Sequence, residues 1–430
     1  MTKFAILTLG CKVNLYESES YIQSLKAEGF TEVSFDEQAD VYIINTCTVT
    51  NTASSKSRNK INQAHKQNPN ALICAVGCLV QVGDDRLEQI EAIDIMIGSS
   101  HKDQLVSMIK KALVDKKKHK EIEDVRANKV FDELYVNNFS HHTRAFLKIQ
   151  DGCDQFCTYC IIPYARGSER SLAPDKVIKQ AKSLLTNGYK EIVLSGIHTG
   201  RYGKDHQTSL TDLIKNLLKT SVYRLRISSI EITEITDEMI LLIKNDIRLA
   251  KHLHIPLQSG SDQILTLMKR PYDTTCFIER IRFIKQMIPD ISISTDIIVG
   301  FPGETEEDFM KTIAFIKEVN FSFLHVFPYS KKSETVAGKM LEQIGKDVKR
   351  ARVTQLIKLS NQMYEAYQKT FIAKEVDIIM EAEKDGKWMG HSSHYLPIII
   401  DSNEVCRNKV YNVNITSYEN YHLLGKIVEV

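Results

Sequence analysis

Three cysteines share one short segment, Asp151-Gly152-Cys153-Asp154-Gln155-Phe156-Cys157-Thr158-Tyr159-Cys160. Their spacing is C-x3-C-x2-C, with an aromatic residue directly before the last. A 4Fe–4S cube is normally held by four thiolates. Three thiolates this close hold three irons and leave the fourth with an open position, the feature that separates catalytic from structural metal sites. The segment therefore reads as a catalytic centre. Zinc is the alternative; it needs four ligands, and the nearest further donors, His141 and His142, do not make a pair of the usual spacing with the cysteines.

A second trio is scattered. Cys11, Cys47 and Cys78 each end an apolar run: Leu9-Gly10-Cys11, Asn45-Thr46-Cys47 and Val76-Gly77-Cys78. In an open parallel sheet the carboxyl ends of the strands form the ligand crevice, so residues far apart in sequence converge there. Three cysteines at three such ends could ligate a second cluster, again with one iron open. The competing reading is three buried core thiols; their common context favours ligands. Cys74, Cys276 and Cys406 lack that context and read as core or surface thiols.

The elements that must position these residues are legible in the periodicity. Residues 4–9, 41–45 and 72–76 are short apolar runs, each followed by a polar stretch of helical spacing, which is the pattern of parallel βαβ units. The basic run 116–120 reads as a solvated helix end or linker. Alternation restarts at residue 145, with strands expected at 145–149, 191–195, 224–228, 252–256, 292–299 and 323–327. Helical patterns such as 174–185 and 305–319 separate them. Six units suggest a (β/α) barrel two short of closure, with a gap wide enough for a large substrate. A helix over about 346–369 follows. The last ~60 residues lose the helical period and read as a small antiparallel barrel, with strands such as 375–382 and 396–401. The expected class is α/β with three domains, at 1–115, 140–369 and 370–430.

Composition bounds the setting. At 430 residues, 43% hydrophobic and 26% charged, the chain has the make-up of an ordinary globular protein of two or three domains. No apolar run is long enough to span a bilayer, and the N-terminal one is too short for a signal peptide. A cytoplasmic setting follows as the expectation, and nine cysteines there read as ligands and core thiols rather than disulfides.

The cluster motif at the end of a first barrel strand resembles the radical S-adenosylmethionine (SAM) superfamily. Asp151-Gly152-Cys153, the stretch from Cys160 to Gly167 (Cys-Ile-Ile-Pro-Tyr-Ala-Arg-Gly) and the three strand-end motifs resemble its methylthiotransferase branch. So do the stretches 254–261 (His-Ile-Pro-Leu-Gln-Ser-Gly-Ser) and 295–304 (Thr-Asp-Ile-Ile-Val-Gly-Phe-Pro-Gly-Glu). The resemblance covers nearly the whole chain. It implies an N-terminal domain holding an auxiliary 4Fe–4S cluster, a partial barrel holding the radical cluster, and a terminal tRNA-binding TRAM barrel.

Members of the branch modify isopentenyladenosine or threonylcarbamoyladenosine in tRNA, or an aspartate of a ribosomal protein. The stretch from Gly10 to Ser18, Tyr159 and the Tyr164–Gly167 motif are similar to the threonylcarbamoyladenosine type. The implied chemistry takes one SAM as methyl donor and another as radical source, with hydrogen removed from C2 of the adenine. An external electron donor and a sulfur source are implied as partners. SAM contacts are expected from Tyr159 for its adenine, from Ser195 and Gly196 for its amine, and from Glu231, Gln258 and Asp296 as polar groups. The stretch Gly300-Phe301-Pro302-Gly303 is expected to shape a turn.

Two departures from the family pattern stand out. Residues 371–430 carry six Lys/Arg against nine Asp/Glu, although RNA affinity depends on basic contacts to phosphate. Residues 331–370 carry nine against four, so the footprint is expected on that helix, at Lys346, Lys349, Arg350 and Arg352. The second departure is Lys331-Lys332-Ser333-Glu334, where the family often has arginine, proline and glycine.

Overall fold

The computed structural model describes residues 1–140, 142–402 and 405–428; His141 lies outside them. Six parallel strands form the N-terminal sheet: Lys3–Thr8, Thr31–Glu32, Val41–Thr46, Leu72–Gly77, Ile95–Ile97 and His119–Glu121, in the order 2-1-3-4-5-6. The central strand Val41–Thr46 is buried at every position, as a parallel strand covered on both faces must be. Helices Lys12–Ala27 and Leu105–Asp115 cover one face through Tyr21, Leu25 and Ile109. Helix Asn51–Gln67 covers the other through Ile61 and Ala64. Strand order reverses at Lys3–Thr8, which places the switch point, and so the ligand crevice, between it and Val41–Thr46.

The basic run read as a solvated helix end or linker is an exposed helix end at Lys116–Lys118, and its last two residues, His119 and Lys120, enter this sheet. Lys116 ends the preceding helix in the left-handed region, and His119–Glu121 pairs with Ile95–Ile97. Its lysines follow from its place: charge on a short edge strand discourages pairing with other chains.

The second unit has six parallel strands adjacent in chain order: Ala145–Lys148, Glu191–Ser195, Arg224–Ile227, His252–His254, Ser292–Val299 and Phe323–Pro328. Two three-stranded sheets are joined by single bridges, Leu225 to Leu249 and Ser229 to His254. Among the described residues no pairing joins the first strand to the last, so the barrel is open at one side. The N-terminal helix is anchored on this unit: the Tyr16 hydroxyl donates to the Gln180 amide oxygen at 2.6 Å, and its ring joins the barrel core.

Helix Lys346–Lys369 leads to a closed five-stranded barrel: Glu375–Lys384, Lys387–Ser392, Pro397–Ile400, Val410–Glu419 and His422–Ile427. Its pairings are antiparallel, as expected, except that Pro397–Ile400 runs parallel to His422–Ile427. It seats against the amino-terminal ends of the large barrel's strands. Arg224 donates to the His391 carbonyl at 2.9 Å and pairs with Asp377 at 2.6 Å; Arg226 donates to the Ser392 and Ser393 carbonyls at 3.1 Å each. Glu191, fully buried, holds both arginines from below. No helix among the described residues is long and apolar enough to cross a membrane.

Candidate active site

Each cysteine of the scattered trio sits where a strand gives way to a helix. Cys11 caps helix Lys12–Ala27, Cys78 opens the short helix Cys78–Val82, and Cys47 follows Val41–Thr46. Two glycines permit the approach. Gly77 has φ 95°, and a Cβ there would meet the Asn45 carboxamide oxygen at 2.7 Å. Gly10 has φ 107°, and a Cβ there would meet the Cys47 sulfur at 3.1 Å. Asn14 ties two of the strand ends together, its amide donating to the Leu9 carbonyl at 2.7 Å and the Thr46 carbonyl at 3.1 Å.

The thiols are close enough to act on one another. Burial pushes Cys47 up to about 11; the Val49 N–H opposes this, and Cys78 and Cys11 add to it. Cys11 is exposed at its surface yet its protein surroundings raise it too, opposed by Arg166 and reinforced by Cys78. In the loop trio, burial and then Cys157 push Cys160 up to about 12. Crowded, desolvated thiols of this kind become thiolates only when a cation stands among them. Two sets of three soft sulfur donors suit iron–sulfur clusters rather than a hard metal. Cys153, Glu169 and His198 also lie within 4.8 Å of one another, a set that could hold a metal, but it uses only one of the three loop cysteines.

Two arginines that the sequence reading did not assign stand beside these sulfurs. Arg166, on the helix Ile162–Arg166 that follows the loop, donates its Nε–H to Cys78 at 3.1 Å and pairs with Glu17 at 2.6 Å. It belongs to a fully buried network in which Lys102 and Lys148 also reach Glu17, at 2.6 and 3.2 Å, and Lys148 pairs with Asp151 at 2.7 Å. Burial alone would raise Glu17; Arg166, then Lys102 and Lys148, hold it well below the usual carboxylate range. The cations outnumber the carboxylates, which suits anionic sulfur next to them. Arg270 donates to Cys157 at 3.3 Å and to the Tyr159 hydroxyl at 3.4 Å, and pairs with Glu231.

One hollow lies between the Cys47 loop and the cysteine loop of the barrel, and of the six cysteines Cys160 is the one that lines it. A cavity of ≈ 240 Å³ is lined by Val49 and Thr50, just beyond Cys47, and by Tyr159, Cys160, Gln258 and Asp296 from the barrel. Gln258 lies in the left-handed region at φ 73°, a strained position of the kind found at functional sites. Glu231 reaches the site through Arg270. Ser195 is buried with its hydroxyl donating to the Val193 carbonyl at 3.3 Å, and Gly196 packs against Gln150 and Thr199; neither side chain lines the cavity. The turn at 300–303 is held by Glu304, which accepts from the Gly300 amide and pairs with Arg352.

That pairing corrects one expectation. Arg352 is 6% exposed and serves the turn, not solvent, and Lys349 lies over the Tyr329 ring at 5.3 Å. Of the four expected residues, Lys346 and Arg350 are exposed. The unusual stretch at 331–334 also has a use. Lys332 is buried and donates to Ser54 at 3.1 Å, and the Asn51 amide donates to the Ser330 hydroxyl at 2.9 Å, so this loop fastens the Cys47 loop to the barrel.

Comparison with known proteins agrees with this arrangement. Residues 3–98 match the model of the Uncharacterized protein family UPF0004, and residues 147–316 that of the Radical SAM superfamily. The fold resembles that of the radical S-adenosylmethionine methyltransferase TsrM from Kitasatospora setae, with a TM-score of 0.59 and 13% identity over 79% of this chain and 77% of that one. Fold and sulfur-lined site define a radical SAM enzyme, a class that works with a 4Fe–4S cluster and SAM. The whole chain is 42% identical to the threonylcarbamoyladenosine tRNA methylthiotransferase MtaB of Bacillus subtilis (strain 168), covering 97% of it. It is 32% identical, over 99% of the chain and 96% of that protein, to the tRNA-2-methylthio-N(6)-dimethylallyladenosine synthase of Clostridium botulinum (strain Alaska E43 / Type E3). The chain belongs to the radical SAM tRNA methylthiotransferase family.

Proposed function

We propose that this enzyme converts N6-threonylcarbamoyladenosine beside the tRNA anticodon to its 2-methylthio derivative, working in the cytoplasm. In this reading Cys153, Cys157 and Cys160 hold the cluster that binds SAM, and Cys11, Cys47 and Cys78 hold an auxiliary 4Fe–4S cluster. When bound, the clusters and SAM supply the one-electron and sulfur chemistry needed at an aromatic C–H that no side-chain acid or base can open. The observation that carries the reading is the shared hollow, in which the Cys47 loop and Cys160 line the same space.

The chain's own part is to bind, orient and exclude water. Tyr159, Gln258 and Asp296 line the hollow, and Arg270 links Glu231 to Tyr159 and Cys157. Ser195 and Gly196 would offer backbone rather than side-chain groups to SAM. Arg166 and Arg270 place N–H donors on ligand sulfurs, which steadies their negative charge. The domains divide the work: 1–115 for the auxiliary cluster, 140–369 for the radical core and 370–430 for RNA. Lys346 and Arg350 add phosphate contacts beside an acidic terminal barrel. The target base, in a single-stranded loop, must turn out of its stack to enter the hollow. An external electron donor and a sulfur source complete the partners.

The choice of threonylcarbamoyladenosine rests on the higher identity to the relative of that name. Mass spectrometry of tRNA nucleosides from a deletion strain tests it. Loss of the 2-methylthio form of threonylcarbamoyladenosine is expected; loss of the isopentenyl species instead, or an unchanged tRNA profile, contradicts it.

A further inference from the structure

The ion-paired network behind Arg166 does not balance. Its carboxylates are Glu17 and Asp151; its cations are Arg166, Arg170, Lys102 and Lys148. Arg166 and Arg170 reach Asp151 at 3.4 and 3.5 Å, and the other pairs lie between 2.6 and 3.2 Å. All six side chains are 0–1% exposed. Four cations against two carboxylates leave an excess of two positive charges. Asp132 lies within electrostatic reach of Lys102 and Lys148 and, counted in, still leaves an excess of one. Buried charge of this kind is costly unless an anion answers it.

Arg166 points to that anion. Its Nε–H donates to the Cys78 sulfur at 3.1 Å. Its Nη2 donates to the Asn14 carboxamide oxygen, and the Asn14 amide holds the Leu9 and Thr46 carbonyls, at the strand ends that lead into Cys11 and Cys47. One guanidinium therefore serves all three strand ends of the scattered trio. It comes from the other domain, on the helix Ile162–Arg166 that follows Cys160. The loop trio is served differently: Arg270 reaches Cys157, but Glu231 pairs with it and answers its charge.

We infer that Arg166, with the excess charge behind it, is a positioning residue that sets the reduction potential of the auxiliary cluster; this rests on the reading that Cys11, Cys47 and Cys78 hold one. Reduction adds a negative charge to the site. An N–H donor on a ligand sulfur and a buried excess of cations both favour that charge, so both raise the potential. A guanidinium does not deprotonate in a protein, so the effect is permanent. Because Arg166 belongs to the barrel, the auxiliary site reaches its final potential only with the two domains docked.

The test is a redox titration followed by electron paramagnetic resonance. It uses the full chain, reconstituted anaerobically, with Cys153, Cys157 and Cys160 replaced by alanine so that only the auxiliary site is loaded. In that reference protein Arg166→Gln removes a donor and a charge. It should make reduction at least about tenfold less favourable, a fall of about 59 mV for a one-electron couple. Arg166→Lys keeps the charge without the Nε–H and should recover part of the loss. Lys102 ion-pairs with Glu17, so Lys102→Met should also lower the potential, whereas Glu17→Gln removes a negative charge and should raise it. Shifts of opposite sign are not the mark of a merely structural role, which moves every variant the same way. If Arg166→Gln retains less iron, Lys102→Met and Glu17→Gln carry the test. A potential within about twofold of the reference in Arg166→Gln or in Lys102→Met overturns the inference and leaves the cluster standing, as does a fall in Glu17→Gln. A reference protein that binds no iron overturns the reading beneath it.

Discussion

Arg166 shows how the site is held at the scale of single residues. It stands six positions after Cys160, yet its partners Cys78 and Glu17 are 88 and 149 residues away in sequence. One guanidinium thus ties the loop trio to the scattered one. Removing it takes from Glu17 one of its three buried cations and leaves Lys102 and Lys148 to hold it, so Arg166→Ala should cost on the order of 1.5–3 kcal/mol in denaturant unfolding. Arg166→Lys keeps the charge but cannot reproduce the fork, and should fall between. A loss below about 1 kcal/mol for the alanine variant would show that the network is dispensable. Arg166 lies within a motif visible in the sequence, but its partners are set by tertiary contact, and no spacing rule could name them. Arg270 carries no motif signal, and only the folded chain brings it to Cys157.

Among the elements, the loop after Phe323–Pro328 does work that its sequence conceals. Lys331-Lys332-Ser333-Glu334 departs from the family's pattern and looks like solvated charge, yet Lys332 is buried on Thr48 and Ser54. Lys332→Ala should weaken the fastening by ~1–3 kcal/mol. Amide hydrogen exchange should then rise in residues 48–54 and stay unchanged in the terminal barrel. Uniform exchange across the chain would contradict a local role. Strand positions were legible because apolar runs alternate with helical periods, and helix Lys346–Lys369 could be placed because its basic, periodic stretch is long. The edge strand His119–Glu121 was hidden, since lysine-rich edges carry no hydrophobic period. The parallel closure of the terminal barrel by Pro397–Ile400 was hidden because strand order is a tertiary property.

At the scale of the whole molecule, the terminal barrel closes the base of the large one through Glu191, Arg224 and Arg226. Burial alone would raise the Glu191 carboxyl; Arg226, then Arg224, hold it down at about 2, against an ordinary value near 4.5. A depressed carboxyl stabilises above its unfolded value and loses that contribution as pH falls through the folded one. Stability should therefore drop between about pH 4.5 and 2, by on the order of 3 kcal/mol from this group. Glu191→Gln should be less stable at pH 7 and show a shallower acid slope in denaturant titrations; an unchanged slope would contradict the assignment. The placing of Cys11, Cys47 and Cys78 at three neighbouring strand ends was the part of the site most open to sequence reading, because strand-end position fixes where a side chain emerges. The central claim is that each trio holds its own cluster. The direct measurement is iron content with electron paramagnetic resonance on anaerobically reconstituted protein. Wild type should bind about eight irons, and the triple alanine variants at 153/157/160 and at 11/47/78 about four each. SAM should perturb the signal only where the loop trio remains. A wild type with about four irons, or either variant with the wild-type content, would contradict it.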